Sequence, residues 1–473
     1  MAQDVSQDLA QDADTARTPG AQPTDVVVVG LGVAGEQVAT RLAEEGLDVV
    51  GVEQRLLGGE CPYWACVPTK MMVRAAGLLA EGRRIPRMAG RSDVVPEWTQ
   101  VADRIRAEAT DDWNDEAAVA RFTATGARFV RGTARFTGPG TVEAGGETFV
   151  ARRGVVIATG SRPAVPPVPG LDRVPYWTNR EAVEAKQVPD SLLVLGGGTV
   201  GLEFAQVFAR FGSQVTVVET RDRLLSGEEP EVSEVLADVL RREGVTVRLG
   251  ARATGARLED GGIALDLDGE GLLGQRLLVA TGRRANLAEL GLEHLGLDPA
   301  AGRLAVDGRL RAGPGVWAVG DVTGHGLFTH VAVYQASLAA DAILGRPRPE
   351  ADYRALPRVT FTDPEVAAVG LTERQARERG LRVRTGFAEL PTTARGWLHQ
   401  EGNRGFVKLV ADAARDVLVG ATVVGPAGGE VLAGPAVAVQ AEVPLDRLRQ
   451  MIYAYPTFHR GVEDALRDLD RSG

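Results

Sequence analysis

Two cysteines, Cys61 and Cys66, are the only ones in a chain of 473 residues, and they stand five positions apart. On a regular helix, positions i and i+5 diverge by roughly 140°, so bridging them needs a distorted first turn. Gly58, Gly59, Pro62 and Pro68 supply the means to distort it. Lys70 follows Cys66 by four residues and shares its face on the helix expected over residues 71–79. A cation there favours a thiolate, the reactive form of the group. Two buried cysteines acting as small hydrophobes are the plain alternative. Confinement of both to one Gly/Pro-flanked motif favours redox chemistry instead. No metal site is expected, because no second Cys/His pair stands at ligand spacing.

Thiols that carry electrons need a donor to supply them, and two stretches have the form of nucleotide sites. The strand expected at Asp25–Val29 runs into Gly30-Leu31-Gly32-Val33-Ala34-Gly35 and then a helix over Glu36–Glu45. The next strand ends on Glu53, eighteen residues after Gly35. The unit recurs: Ser191–Leu195, then Gly196-Gly197-Gly198-Thr199-Val200-Gly201, then a strand ending on Glu219, again eighteen residues on. Gly30, Gly32 and Gly35, like Gly196, Gly198 and Gly201, permit a tight turn and close approach of a pyrophosphate to a helix N-terminus. Glu53 and Glu219 stand where an acid takes ribose hydroxyls. Glycines that merely turn a strand into a helix are the alternative. The flanking strand, helix and acid in both units argue against it. Two units mean two nucleotides, one donor and one acceptor.

Shorter signals fill the rest. Val155–Gly160 and Leu277–Gly282 are hydrophobic strands closed by Ala-Thr-Gly, and Pro163, Pro166, Pro167 and Pro169 follow the first as a stiff linker. Gly315–Asp321 is a strand ending on Gly-Asp, followed by Thr329-His330-Val331-Ala332. Strands at Gly405–Val410 and Leu418–Val424 fit an antiparallel sheet. Apolar content of 44% and charged content of 25% suit a soluble globular protein of several domains. The net charge of −10 argues against nucleic acid and against an anionic membrane surface. Residues 1–24 read as a disordered acidic tail, not a signal peptide. No apolar run approaches the ~20 residues of a membrane span, so a cytoplasmic protein is expected.

The stretch Gly58-Gly59-Glu60-Cys61-Pro62-Tyr63-Trp64-Ala65-Cys66-Val67-Pro68-Thr69-Lys70 resembles the redox-active disulfide motif of the pyridine nucleotide-disulfide oxidoreductases. That family includes dihydrolipoamide dehydrogenase, glutathione reductase and mercuric reductase. Every fixed position of Gly-Gly-x-Cys-x4-Cys-x-Pro-Ser/Thr-Lys is present, with a bulkier, more aromatic spacer. The resemblance covers nearly all of the chain after the tail. It implies an α/β flavoprotein with FAD and NAD(P) Rossmann-like domains and a C-terminal α+β dimerisation domain. The domains would be 25–162 with 287–349 for FAD, 163–286 for NAD(P) and 350–473 for dimerisation, making a symmetric homodimer. It assigns FAD to Gly30, Gly32, Gly35, Glu53, Gly59, Gly160 and Asp321, with His330 near the flavin. Gly196, Gly198, Gly201, Glu219 and Gly282 serve the nicotinamide nucleotide. NADH is expected, because NADPH users carry arginine where Glu219 stands; Arg221 and Arg223 keep NADPH as the alternative. By the same resemblance Cys66 is the flavin-proximal thiol, Cys61 meets the substrate, and Glu203 pairs with Lys70.

One motif breaks the pattern. The family's His-Pro-Thr-x-x-Glu, whose histidine is the acid/base for the thiols, reads here Tyr455-Pro456-Thr457-Phe458-His459-Arg460. Tyrosine, with an ordinary pKa near ~10, is a poor base at neutral pH. Mercuric reductases also have tyrosine there. They carry a further cysteine pair near the C-terminus that this chain lacks, so mercury reduction by their full mechanism is not expected. His459 and Glu463, four apart at a helix start capped by Thr457, are the candidate substitute dyad. The acceptor is expected to be a small-molecule or protein disulfide that fits past Tyr63 and Trp64. The alternatives are a flavin-centred reductase of quinones or metal ions, and a redox-sensing binding protein with little turnover.

Overall fold

The computed structural model describes residues 20–470. They fall into two compact units. The first comprises the described residues up to Pro68, with Ile105–Arg162 and Arg283–Asp352; the second comprises Thr69–Arg104, Pro163–Gly282 and the chain from Tyr353 onward.

In the first unit the strand Gln22–Val29 lies at the centre of a largely parallel sheet. It pairs in parallel with Val49–Glu53 on one side and Glu147–Ile157 on the other. Val316–Ala318 and Arg128–Arg131 extend the two flanks, again in parallel. Side chains alternate across a strand, so Val26 and Val28 enter one core and Val27 and Val29 the other. Burial on both faces is what an unbroken valine run serves. The first core is closed by helix α1, Val33–Glu44, through Val38, Ala39 and Leu42. The helix Thr329–Ile343 joins it through Ala336, Ala339 and Ala340. Two short steps then follow Gly59: helix α2, Glu60–Tyr63, and the start of α3, Cys66–Arg84.

Two boundaries differ from expectation. Gln22–Thr24 belong to the first strand, so the tail expected over 1–24 is shorter, and its residues 1–19 lie outside the described residues. Helix α1 starts at Val33 and not Glu36, because Gly32 in extended conformation already caps it.

The second unit holds the four-stranded parallel sheet Thr246–Arg248, Gln214–Val218, Ser191–Leu195 and Arg276–Val279. Helix α4, Thr199–Arg210, leaves its second glycine loop. A five-stranded antiparallel sheet follows, with Phe406–Asp412 beside Val417–Gly425 in the register Phe406 to Val424. Helix α5, Gly461–Leu469, lays Val462, Ala465, Leu466 and Leu469 on that sheet at helical spacing. The architecture is α/β, two dinucleotide-type units with a C-terminal α+β part. Among the described residues no helix is long and apolar enough to cross a membrane.

Candidate active site

Cys61 and Cys66 do not share a helix. α2 ends at Tyr63, Trp64 leaves helical conformation at φ −137° and ψ 1°, and α3 begins at Cys66 itself. Gly58 and Gly59, at φ +104° and +71°, turn the chain into this break. Pro62 and Pro68 sit in first turns, where no intrahelical donor is lost. The two cysteine side chains are unbridged and close enough for Cys66 to act on the Cys61 thiol. The Thr329 hydroxyl lies 3.2 Å from Cys66 Sγ. Thr329 opens the helix Thr329–Ile343, whose positive end favours an anion at that sulfur. The interaction with Cys66, and then burial, push the Cys61 thiol upward.

Tyr63 and Trp64 turn inward, only 6% and 9% exposed. Little of either ring is therefore presented to a substrate arriving from solvent. Burial, with the Asp115 and Glu36 carboxylates nearby, pushes the Tyr63 phenol upward.

The Lys70 ammonium does not stand alone. Its Nζ donates to Glu203 Oε2 at 2.6 Å and lies 4.7 Å from the centre of the Phe361 ring. Glu203, buried on α4, takes the Phe361 N–H on its other oxygen at 2.8 Å. The two residues expected to pair are therefore together. A paired cation does less for a thiolate than an isolated one, whereas the Thr329 hydroxyl stands within hydrogen-bond reach of Cys66 Sγ.

Both glycine loops are built alike. Glu53 Oε2 accepts from Leu31 N–H at 2.8 Å and Oε1 from Arg55 N–H at 2.8 Å. Glu219 Oε2 accepts from Gly197 N–H at 2.7 Å and Oε1 from Arg221 N–H at 2.8 Å. Each carboxylate oxygen keeps a second lone pair. Gly32 and Gly198 cap α1 and α4 with no side-chain hydrogen bond closing either helix end. A Cβ on Gly59 would come within 2.8 Å of Gly32 Cα, so these glycines keep a cradle open at the α1 N-terminus. A Cβ on Gly35 would lie 1.9 Å from the Gly30 carbonyl oxygen, and one on Gly201 2.1 Å from that of Gly196. Two bare helix ends, each with an acid closing its loop, are the donor set that FAD and a nicotinamide dinucleotide require.

Several site residues escaped the sequence reading. The Ser161 hydroxyl donates to Asp321 Oδ2 and accepts from Arg283 Nε at 2.7 Å. Arg283 also donates to the Ser161 carbonyl at 2.8 Å and lies 3.6 Å from the Glu60 carboxylate. The Ala-Thr-Gly turns carry a signal that could have been used. In one, the Thr159 hydroxyl donates to the Asn286 carbonyl at 2.7 Å, with Gly160 accepting from Asn286 N–H. In the other, the Thr281 hydroxyl donates to the Ala164 carbonyl at 2.7 Å, beside Gly282. His330 is exposed and stacks on Phe328, 5.1 Å between ring centres.

The expected His459–Glu463 dyad does not form. Phe458–Arg460 is a 3-10 turn capped by Thr457, and α5 starts only at Gly461, so the two residues do not share a helical face. Glu463 is held by Arg460 at 3.2 Å and by Arg467. His459 packs on the Tyr453 ring, 5.1 Å between centres. Tyr455 is 68% exposed, with the Arg460 guanidinium 5.2 Å from its ring centre.

Two nucleotide cradles and one dithiol define an NAD(P)H-dependent flavoprotein oxidoreductase. The chain belongs to the pyridine nucleotide-disulphide oxidoreductase family, whose model matches residues 24–336, with the family's dimerisation domain over 356–466. That domain supports a homodimer, and the family supplies FAD and NAD(P)H as cofactors. A mercuric reductase from Streptomyces lividans is 36% identical over 92% of this chain and 93% of its own length. A dihydrolipoyl dehydrogenase from Chlorobaculum tepidum is 34% identical over 98% of this chain and 99% of its own. The solved structure of the HOCl-induced flavoprotein disulfide reductase RclA from Escherichia coli has a TM-score of 0.83 at 27% identity, covering 94% and 99% of the two chains.

Proposed function

We propose that this chain uses NADH to reduce a disulfide acceptor through Cys61 and Cys66. The observation that carries the reading is the thiol pair itself, two neighbouring unbridged cysteines with the Thr329 hydroxyl 3.2 Å from Cys66 Sγ. In this reading residues 25–162 and 287–349 bind FAD, 163–286 bind NADH and 350–473 form the dimer interface, in a reducing cytoplasmic setting. Gly30, Gly32, Gly35 and Gly59 leave room for the FAD pyrophosphate, Glu53 takes its adenosine ribose, and Asp321, held by Ser161, takes the ribityl chain. Gly196, Gly198 and Gly201 do the same for NADH, and Glu219 repels a 2′-phosphate. Lys70 and Glu203 mark where hydride arrives. Held by these residues, FAD would supply two-electron chemistry between the hydride donor and the disulfide form of the pair. Cys61 then attacks the acceptor as its proton passes to Cys66 and on to the departing thiolate; Cys66 displaces the mixed disulfide, the second thiolate takes a proton from solvent, and the acceptor leaves as two thiols. Over the cycle, NADH, one proton and one disulfide give NAD+ and two thiols.

A metal-ion acceptor is the second reading. It is favoured by Tyr455, a phenol where the family's disulfide reductases carry a histidine, and by the mercuric reductase relatives. NADH oxidation by the FAD-loaded enzyme with disulfides, quinones and metal ions separates the two. The proposal expects a disulfide to give the highest kcat/KM and Cys61→Ser to abolish its reduction. It fails if disulfides are inert and metal ions or quinones are reduced equally well by Cys61→Ser.

A further inference from the structure

One polar stripe along α4 is committed to a single short segment of chain. Thr199, Glu203, Gln206 and Arg210 recur every three or four residues and so share one face of the helix. Thr199 Oγ1 lies 2.8 Å from Thr360 Oγ1. Glu203 takes the Phe361 N–H. Gln206 accepts Asp363 N–H at 2.7 Å and donates to the Asp363 carbonyl at 2.9 Å. Arg210 donates to Asp363 Oδ2 at 2.8 Å, and its bidentate contact with Glu243 fixes the guanidinium. Glu203, Gln206 and Arg210 are each 5% exposed or less, so these bonds have little competition from water. Helix α3 reaches the same segment from both ends: Lys70 meets Glu203, and Arg84 donates to Asp363 Oδ2 at 2.6 Å.

The carboxylate of Glu203 is thus oriented by two donors, Lys70 Nζ and Phe361 N–H. Lys70 is oriented in turn by that carboxylate and by the Phe361 ring. Phe361 is therefore the common partner, and the chain is anchored two residues later, where four bonds converge on Asp363. We propose that Asp363 is a positioning residue for the Lys70–Glu203 pair, acting through Phe361. The importance of that pair for hydride transfer rests on the functional reading above; the positioning does not.

The chain has three lysines, which makes the pair directly readable. Lys408 is buried among Glu229, Glu231 and Glu373, Lys186 is exposed, and the Lys70 side chain is 37% exposed. Competitive acetylation of the FAD-loaded protein with acetic anhydride, read by peptide mass spectrometry, gives the Lys70 to Lys186 labelling ratio. Glu203→Gln should raise that ratio about threefold to tenfold, the effect of loosening one charged hydrogen bond. Asp363→Asn should raise it by at least about twofold, and the double variant should go no higher than Glu203→Gln. Arg84→Met removes one arm at a partly exposed site with less risk to folding, and should move the ratio the same way by less. The proposal is overturned if Asp363→Asn and Arg84→Met both keep the wild-type ratio while Glu203→Gln raises it. It is equally overturned if the effects of Asp363→Asn and Glu203→Gln simply add. Stopped-flow flavin reduction by NADH on the same variants tests the functional reading separately. There a fall in limiting rate with the NADH dependence unchanged is expected. A shifted labelling ratio with unchanged reduction would uphold the positioning and count against hydride arriving at this pair.

Discussion

Ser161→Ala removes one oxygen that serves two charges. The hydroxyl donates to Asp321 and accepts from Arg283, and Ser161 is 5% exposed, so water does not readily take its place. Arg283 keeps its second bond, to the residue 161 carbonyl, because alanine retains that group. The loss therefore falls on the Asp321 carboxylate, which forfeits a hydrogen bond to a charged group, about 1.5–3 kcal/mol. If Asp321 holds the flavin's ribityl chain, its loss of orientation is passed to FAD binding as a weakening of about 10- to 150-fold. Apoprotein titrated with FAD, followed by quenching of flavin fluorescence, reads this directly. Ser161→Thr keeps the hydroxyl and should bind nearly as the wild type does. Binding by Ser161→Ala within about twofold of wild type would refute the transmission from Ser161 through Asp321 to the flavin.

Thr329→Val removes the hydroxyl on Cys66 and should move the pH at which the reduced protein's thiolate absorbance appears upward, measured by spectrophotometric titration. The reduced protein should also lose thermal stability as pH rises above about 8.5. There the unfolded chain releases the Cys61 proton while the folded pair, its thiol pushed upward, retains it. Cys61→Ser should lack this component in melting curves taken across that window. His459→Ala should change turnover by less than about twofold, because Glu463 is held by Arg460 and Arg467 and no dyad exists to lose. Tyr455→Phe, at an exposed phenol, should have the larger effect on reduction of the acceptor, read as kcat with saturating NADH. NADH should exceed NADPH in kcat/KM by about tenfold or more, since Glu219 closes the second glycine loop; a preference for NADPH would overturn that assignment.

The parts of the site governed by local sterics were legible in the sequence. The glycines at 30, 32 and 35 and at 196, 198 and 201 announce tight turns, because a Cβ at several of them collides with backbone. Four valines in a row announce a strand buried on both faces. The distorted turn expected from the cysteine spacing and the glycines before it is a full break between two helices. What was not legible is long-range or depends on a helix boundary. Ser161 meets Arg283 across 122 residues and Asp321 across 160, and no local pattern marks such a contact. His459 and Glu463 have the spacing of partners, yet the helix begins two residues too late for them to share a face. Tyr63 and Trp64 looked like a gate by size, but the side to which α2 turns them is settled by tertiary packing.

The central claim is that electrons from NADH reach Cys66. Anaerobic titration of the FAD-loaded protein with NADH, followed across the visible spectrum, tests it most directly. Uptake of two electrons should produce a long-wavelength charge-transfer absorbance from the Cys66 thiolate beside oxidised flavin, and Cys66→Ser should bind FAD yet lack that band. Bleaching of the wild-type flavin by NADH with no such band at any stage would show that the thiols are not coupled to it.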